Sequence, residues 1–304
     1  MPSPLMECVP NISEGRRREV VDEIVSAASG ERCRLIDLAL DPDHNRTVIT
    51  FVGEPEALAA GVLELVARAV ERIDLRTHQG AHPRMGAVDV IPFVPVRGVS
   101  MADCVALSRE VGEAIAARFG VPVYLYEESA SAEERRSLAA IREGEFERFP
   151  DKIKDPHWRP DFGEPIVHPT AGVTAVGARE FLIAFNVNLA TSDLRIAKKI
   201  AAAVRFSSGG LRYVKALGFG LEGRGIVQVS MNLTSFRKTP ILRVFDLVKH
   251  EAERHGVLVQ NSEIVGLVPR EALYFAAAST LQLEDFSPRS VLEERIEEAF
   301  GEGR

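Results

Sequence analysis

The sequence predicts an α+β protein of two tandem βαββαβ units, with mixed sheets and helices on their outer faces. Three observations predict it. Apolar residues run through the same succession of period-2 and period-3.6 stretches twice, first over residues 5–93 and again over 181–268. A stretch broken by prolines separates the two runs. The chain has 304 residues, 46% hydrophobic and 27% charged, which is enough for two domains of ordinary size.

In the first unit the expected order is strand (Leu5 to Val9), helix (Arg17 to Ala28), strand (Arg32 to Ala39), strand (Arg46 to Val52), helix (Pro55 to Ile73) and strand (Val88 to Phe93). Val20, Val21, Ile24, Val25 and Ala28 fall on one face of the first helix, and Gly30 stands just beyond as its stop. A further helix, Met101 to Phe119, opens on Ser100 as N-cap with Asp103 three residues on. It leads into a strand, Pro122 to Tyr126, that extends the sheet. Ser131 with Glu134 repeats the capping pattern before a polar helix. The segment GEFERFPDKIKDPHWRPDFGEP then loses periodicity, and Pro150, Pro156, Pro160 and Pro165 mark it as a connector, not a packed element.

The second unit repeats the order: strand (Phe181 to Leu189), helix (Ser192 to Arg205), strand (Leu211 to Gly218), strand (Ile226 to Leu233), helix (Ile241 to His255) and a last strand at Val257 to Gln260 or Ile264 to Val268. Domains are therefore expected at 1–178 and 179–304. Each is a ferredoxin-like layer of helices on a sheet, and a ligand cleft between two such sheets would hold an elongated molecule. A tail helix, Pro288 to Phe300, places Glu293, Glu294, Glu297 and Glu298 on a solvated outer side.

Composition removes several function classes. The net charge is −7 and dense Lys/Arg blocks are missing, which argues against nucleic acid as a partner. The opening MPSPLMECVP lacks a basic and then apolar leader, and no apolar run approaches the ~20 residues that span a bilayer, so no membrane partner is expected. Cys8, Cys33 and Cys104, widely spaced and without C-x-x-C, read as buried small apolar residues in a reducing compartment, so a cytoplasmic location is expected. Gly218, Gly220 and Gly223 in GFGLEGRG spell G-x-G-x-x-G, but Gly225 leads into IVQVSMNL, which alternates like a strand. A dinucleotide loop must open a helix, so these glycines are expected in a hairpin turn.

The stretch THQGAHPRMGAVDVIPF, Thr77 to Phe93, packs two histidines, an arginine, two glycines and a proline directly before an apolar strand. Gly80 and Pro83 block a helix, so His78 and His82 are expected in a loop at the sheet edge. As an i, i+4 pair the two could bind a metal only on a helix, and no metal is expected. In VPNISEG, Asn11, Ser13 and Glu14 stand before a helix start, where backbone N–H groups bind anions, although an N-cap at Ser13 explains the same residues.

This loop, together with CVPNISEGRR at Cys8 to Arg17, NRTVITFVG at Asn45 to Gly53, PVYLYEES at Pro122 to Ser129, DFGEP at Asp161, GAREFLIAFNVNL at Gly177, QVSMNLT at Gln228 and EIVGLVP at Glu263, resembles the formiminotransferase family. The resemblance runs from Met6 to about Ala278. It implies a folate-dependent transferase of histidine degradation that exchanges a formimidoyl group between N-formimidoyl-L-glutamate and N5 of tetrahydrofolate, the folate being a co-substrate. By motif the catalytic histidine falls on His82, and the folate-binding stretch on Gly163, Glu164, Pro165, Ile166, Val167, His168, Pro169, Thr170, Ala171 and Gly172. Transfer between two amines passes through a tetrahedral centre, where one nitrogen loses a proton and the other gains one. An imidazole with an ordinary pKa of about 6.5 can do both, which gives His82 the role of general acid/base.

Both substrates carry carboxylates while the chain is acidic overall, so Arg46 and Arg84 are the candidate carboxylate ligands; otherwise they are surface arginines. Some relatives carry an acidic residue where Ala39 stands; Asp37 or Asp41 could substitute, and the carboxylate partner of His82 is left unassigned. The resemblance also implies a homodimer with small-molecule partners. The chain stops after the tail helix, so the cyclodeaminase domain fused to some animal members is expected to be absent. Formyl transfer from 5-formyltetrahydrofolate or N-formylglutamate fits the same residues, because formyl and formimidoyl differ only in O against NH. A non-catalytic folate-binding sensor and a purely structural homodimer are the alternatives outside enzymology.

Overall fold

Alternating apolar residues in the first half of the chain build one mixed sheet from β1 (Leu5–Cys8), β2 (Asn11–Ile12), β3 (Cys33–Asp41), β4 (Arg46–Gly53), β5 (Val88–Arg97), β6 (Val123–Glu127) and β7 (Thr174–Ala178). The computed structural model describes residues 3–42, 44–80 and 83–300, and the chain divides after Arg179 into two compact units. β1 and β2 are one strand interrupted at Pro10, which has no N–H to give the ladder; both lie between β4 and β5 and run antiparallel to them. β3 closes one edge against β4. The order β3, β4, β1/β2, β5, all antiparallel, is the ferredoxin-like arrangement expected from the sequence.

Helices α1 (Arg18–Ala28), α2 (Pro55–Arg72) and α3 (Met101–Phe119) cover one face of this sheet. The face of α1 named from the sequence, Val20, Val21, Ile24, Val25 and Ala28, is buried, and it shares a core with Ile12, Ile49, Phe51, Ile91 and Phe93 from the strands. Each such fully buried side chain contributes ~1.5–3 kcal/mol. The start of α3 forms the expected capping box: Ser100 Oγ accepts from the Asp103 amide, and the Asp103 carboxylate accepts from the Ser100 amide. Cys8, Cys33 and Cys104 are all buried in this unit.

The stretch expected to be a connector is packed structure. After a single 3-10 turn, α4 (Leu138–Arg142) is capped by Ser137, not by Ser131, and α5 (Glu145–Lys152) follows with Pro150 inside it. Phe146, Phe149 and Ile153 keep the three- and four-residue spacing of a helical face, but over too few turns for a periodicity to be legible beside four prolines. Phe149 and Ile153 pack with Tyr124, Tyr126, Val90 and Ala175 on the second face of the sheet. Lys152 Nζ donates to the carbonyls of Ala140 (2.6 Å) and Ile141 (2.8 Å), closing the end of α4. Arg135 ties the rest down through Asp161 (3.0 Å) and the carbonyls of His157 (2.8 Å) and Arg159 (2.7 Å). β7, not expected from the sequence, lies between β5 and β6 and parallel to both, so β6 extends the sheet only through it.

The second unit has β8 (Ile183–Leu189), α6 (Leu194–Val204), β9 (Val214–Leu221), β10 (Ile226–Leu233), α7 (Ile241–Arg254) and β11 (Val259–Val265), with the antiparallel order β11, β8, β10, β9. Ala197, Ile200, Ala201 and Val204 of α6 and Val244, Val248 and Ala252 of α7 bury against one face. The last strand, Val259–Val265, lies between the two expected positions and overlaps each by two residues; its polar centre, Asn261 to Glu263, hid the alternation. The glycine-rich segment is the β9–β10 hairpin as expected, but Gly218 and Gly220 belong to β9, and the residue needing a left-handed backbone is Gly225 (φ 64°). Beyond the sheet lie α8 (Arg270–Thr280) and α9 (Leu292–Phe300). The acidic side of α9 is not purely solvated: Arg270 reaches Glu294 and Glu297, each at 2.7 Å. Among the described residues no helix is long and apolar enough to cross a membrane.

Candidate active site

Three loops of the first unit converge on Asn45. It ends the turn between β3 and β4 with φ 48°, a conformation that asparagine tolerates better than most residues because its short side chain bonds locally. Asn45 Oδ1 accepts from the Gly15 amide (3.0 Å), and its Nδ2 donates to the Gln79 carbonyl (3.0 Å). The Asn45 carbonyl in turn accepts from His78 Nε2 (2.9 Å). One residue thereby joins the segment before α1 to the histidine loop. Gly80 packs directly on the carbonyl of His44, where a Cβ would collide.

The segment before α1 is built differently from the expectation of an N-cap at Ser13. Ser13 is buried, with its hydroxyl donating to the Gly86 carbonyl (2.7 Å). No side chain caps α1; Glu14 instead holds the turn ahead of it, accepting from the Arg16 and Arg17 amides at 2.9 Å each. Burial pushes the Glu14 carboxyl up, but these amides and the Arg17 guanidinium outweigh it and hold the group below its ordinary range.

Arg84 is an organiser of the loop. Its Nε donates to His78 Nδ1 (3.2 Å), its Nη1 to Glu145 (3.3 Å) and Glu147 (2.8 Å), and its Nη2 to the His78 carbonyl (3.3 Å) and Glu147 (2.6 Å). All five of its N–H groups are thus engaged. Because Arg Nε can only donate, His78 Nδ1 is the acceptor and Nε2 carries the proton, which fixes the neutral tautomer. Burial, and then Arg84 and Arg16, push the His78 pKa below its ordinary 6.5, against the opposing pull of the Asn45 carbonyl and Glu14.

The sign of the resulting pH effect follows from linkage. The unfolded chain takes up a proton at residue 78 near pH 6.5 while the folded chain resists it, so the stability contribution is complete above pH 6.5 and is lost as pH falls below it. Urea unfolding at pH 7.5 and 5.5 is expected to show a smaller loss of stability for His78→Gln than for the wild type. An equal loss in both would rule out this assignment.

Behind the loop, Asp89 Oδ1 accepts from the Met85 amide (2.8 Å) and Oδ2 from Arg142 Nη2 (2.5 Å). Arg46 shares this neighbourhood: burial first, then the nearby Arg142, push its pKa down, while Asp41 and Asp89 push it up. Asp41 itself is engaged by His44, through Nδ1 (2.7 Å) and the backbone amide (2.9 Å). Two guanidiniums, Arg46 and Arg142, thus stand among two carboxylates, Asp41 and Asp89, in a charged cluster behind the loop.

The stretch Gly163 to Gly172 brackets the histidine loop at both ends. The Thr170 carbonyl accepts from the Leu75 amide (2.9 Å) ahead of the loop. Behind it, the Ala171 carbonyl accepts from the Ala87 amide (2.9 Å), and the Val173 amide donates to the Met85 carbonyl (3.0 Å). His168 Nδ1 accepts from the Ala171 amide (3.0 Å), and burial pushes its pKa down. Ile166 is 70% exposed, an apolar side chain available at the surface of this stretch. His82 lies outside the described residues; the positions around it, His78, Gln79, Gly80, Pro83 and Arg84, do not.

Of the residues named from the sequence, the structure brings His78, Arg84 and the end of the 163–172 stretch together around the histidine loop, and puts Arg46 near Arg142, Asp41 and Asp89. Sequence reasoning missed Asn45, Asp89, Arg142 and Glu147. A charged Asp89 in the apolar run AVDVIPF, and an asparagine closing the turn DPDHN, were the available signals for two of them.

Residues 5–179 match the family described as "Formiminotransferase domain, N-terminal subdomain", and residues 184–299 the one described as "Formiminotransferase domain". The chain is 46% identical over 294 residues to a "Glutamate formimidoyltransferase" of Streptococcus pyogenes serotype M1, covering 96% of this chain and 98% of that protein. It is 49% identical over 298 residues to a protein of the same description from Thermoplasma acidophilum, covering 97% and 98%. It is also 46% identical over 283 residues to "Formimidoyltransferase-cyclodeaminase" of Rattus norvegicus, covering 91% of this chain and 52% of that protein.

Proposed function

The chain belongs to the formiminotransferase family, and from that premise we propose that it is a folate-dependent glutamate formimidoyltransferase with His82 as its proton carrier. It moves a formimidoyl group between N-formimidoyl-L-glutamate and N5 of tetrahydrofolate. The observation that carries the reading is the pair of anchors by which residues 170–173 hold both ends of the histidine loop, at Leu75 and at Met85 to Ala87. A folate on the 163–172 stretch then lies beside the loop that bears His82.

In the direction of folate loading, N5 attacks the formimidoyl carbon and a tetrahedral centre forms. The new N5–C bond is made as His82 takes the N5 proton. The same imidazole returns that proton to the glutamate nitrogen, and the old N–C bond breaks. Protons balance with a single side chain. His78, neutral and fixed by Arg84 and Asn45, adds no charge to the loop and holds its course.

Arg46, beside Arg142, is one candidate for a substrate carboxylate. Arg84 could serve only by giving up Glu147, since its five donors are engaged. The test is a direct assay of formimidoyl transfer from N-formimidoylglutamate to tetrahydrofolate, with 5-formyltetrahydrofolate and N-formylglutamate run as competing donor systems. Turnover preferring the formimidoyl donor is expected. Transfer with the formyl compounds alone would overturn the assignment.

A further inference from the structure

Arg84 is gripped in two ways that differ in how readily they let go. Its Nε and Nη2 donate to His78, at Nδ1 (3.2 Å) and at the backbone carbonyl (3.3 Å), so one side of the guanidinium is tied to its own loop. At its end, Nη1 and Nη2 donate to the two oxygens of Glu147, 2.8 Å to Oε2 and 2.6 Å to Oε1. Glu145 is a longer third acceptor on Nη1 (3.3 Å). The Glu147 contact is a two-point fork, the geometry in which a guanidinium takes up any carboxylate.

The two partners in that fork are unequal. The Arg84 side chain is 11% exposed and that of Glu147 59%. A buried guanidinium needs a carboxylate at all times, because an unpaired charge there is strongly unfavourable. A solvated glutamate loses little by leaving, since exposed ion pairs contribute little. Glu147 also stands in the first turn of α5, where the helix amides favour a negative charge without help from Arg84. Nor does the course of the loop hang on Glu147: the Phe146 amide donates to the Arg84 carbonyl (2.9 Å), and Asp89 holds the Met85 amide (2.8 Å).

We propose that Glu147 is an internal placeholder on Arg84, and that a substrate carboxylate displaces it and takes over the fork. The inference rests on the reading of the chain as a formimidoyltransferase. Arg84 stands two residues from His82, so a glutamate held there by its carboxylate lies at the loop that bears the proton carrier. The exchange replaces one carboxylate by another: no guanidinium donor is left unpaired, and His78 keeps both of its bonds to Arg84 and hence its tautomer. Releasing Glu147 subtracts from the binding free energy, so the wild type binds the carboxylate more weakly than a chain whose fork is open. A purely structural clasp has the opposite sign, because its removal loosens the site. N-formimidoylglutamate and the glutamyl end of folate both bring the required group, and the measurement tells which of them Arg84 takes.

Calorimetry on the full chain measures the Kd of N-formimidoylglutamate and of p-aminobenzoylglutamate, which carries the glutamyl end of folate without the pterin. The proteins are wild type, Glu147→Ala, Glu145→Gln, Arg84→Lys and the double variant Arg84→Lys/Glu147→Ala, with melting temperatures of the ligand-free proteins as the fold control. Glu147→Ala is expected to bind one of the two ligands about three- to tenfold more tightly than the wild type, and the ligand that gains is the one Arg84 holds. Glu145→Gln removes the same charge but leaves the fork filled, so that Kd is expected to move less than about twofold. Arg84→Lys lacks the fork and is expected to raise it about tenfold or more; adding Glu147→Ala then brings a gain of less than about twofold. If Glu147→Ala melts early, Glu147→Gln, which keeps only one acceptor for the fork, is expected to show the same sign. A folded variant at residue 147 that binds neither ligand more tightly than the wild type would overturn the proposal. So would an equal gain in Glu145→Gln, the mark of lost negative charge alone. Because binding is read without turnover, a chain that binds as expected yet transfers no formimidoyl group would sink the functional reading and leave the carboxylate site standing.

Discussion

His82→Ala is expected to lower kcat for formimidoyl transfer by about 10²–10⁴-fold, the range for loss of a positioned general acid/base. Because one imidazole serves both amines, its loss impairs formation and collapse of the tetrahedral centre alike. The Kd of either substrate is expected to change little, since a proton carrier acts in the transition state more than in the ground state. Steady-state kinetics at saturating tetrahydrofolate read the effect, and small added imidazole is expected to restore part of the rate. A variant within about threefold of wild type would remove His82 from the chemistry, well below what such catalysts contribute.

Asn45→Ala is expected to cost about 3 kcal/mol. The side chain links the Gly15 amide and the Gln79 carbonyl, and deleting it leaves both groups short of a partner in a largely buried place. Alanine also tolerates φ 48° less well than asparagine. For a unit of this size that cost lowers Tm by roughly 6–12 °C. Asn45→Gly restores the backbone tolerance alone, so it is expected to recover about 1 kcal/mol. Activity is expected to fall in both variants, since the loop carrying His78 and His82 loses its clamp. If Asn45→Ala melts like the wild type, the clamp does not hold the loop.

The fold was legible wherever an element was long and apolar on one side. The helix from Met101 to Phe119 is found with those bounds, and its capping box could be read directly from Ser100 and Asp103. Short elements whose burial depends on partners far away in sequence were not legible. β7 is five residues and acquires its place only between β5 and β6, and α5 packs through Phe149 against Tyr124, a contact no local pattern announces. Pro150 pointed away from a helix that tertiary packing nevertheless supports.

The site divides along the same line. Residues that announce chemistry by type, the histidines and arginines of one loop, stood out in the sequence. Residues that act by position did not. Asn45 matters because of a left-handed backbone and two remote partners, Gly15 and Gln79. Glu147 matters because it engages Arg84 across 63 residues of chain.

A crystal structure of the full chain with 5-formyltetrahydrofolate tests the central claim most directly. The account predicts the folate against residues 163–172 with N5 facing His82, an imidazole nitrogen within hydrogen-bond reach of N5 or its one-carbon group, at ~2.6–3.2 Å or through one water. A folate bound with N5 turned away from His82, and another titratable side chain in that position, would contradict it.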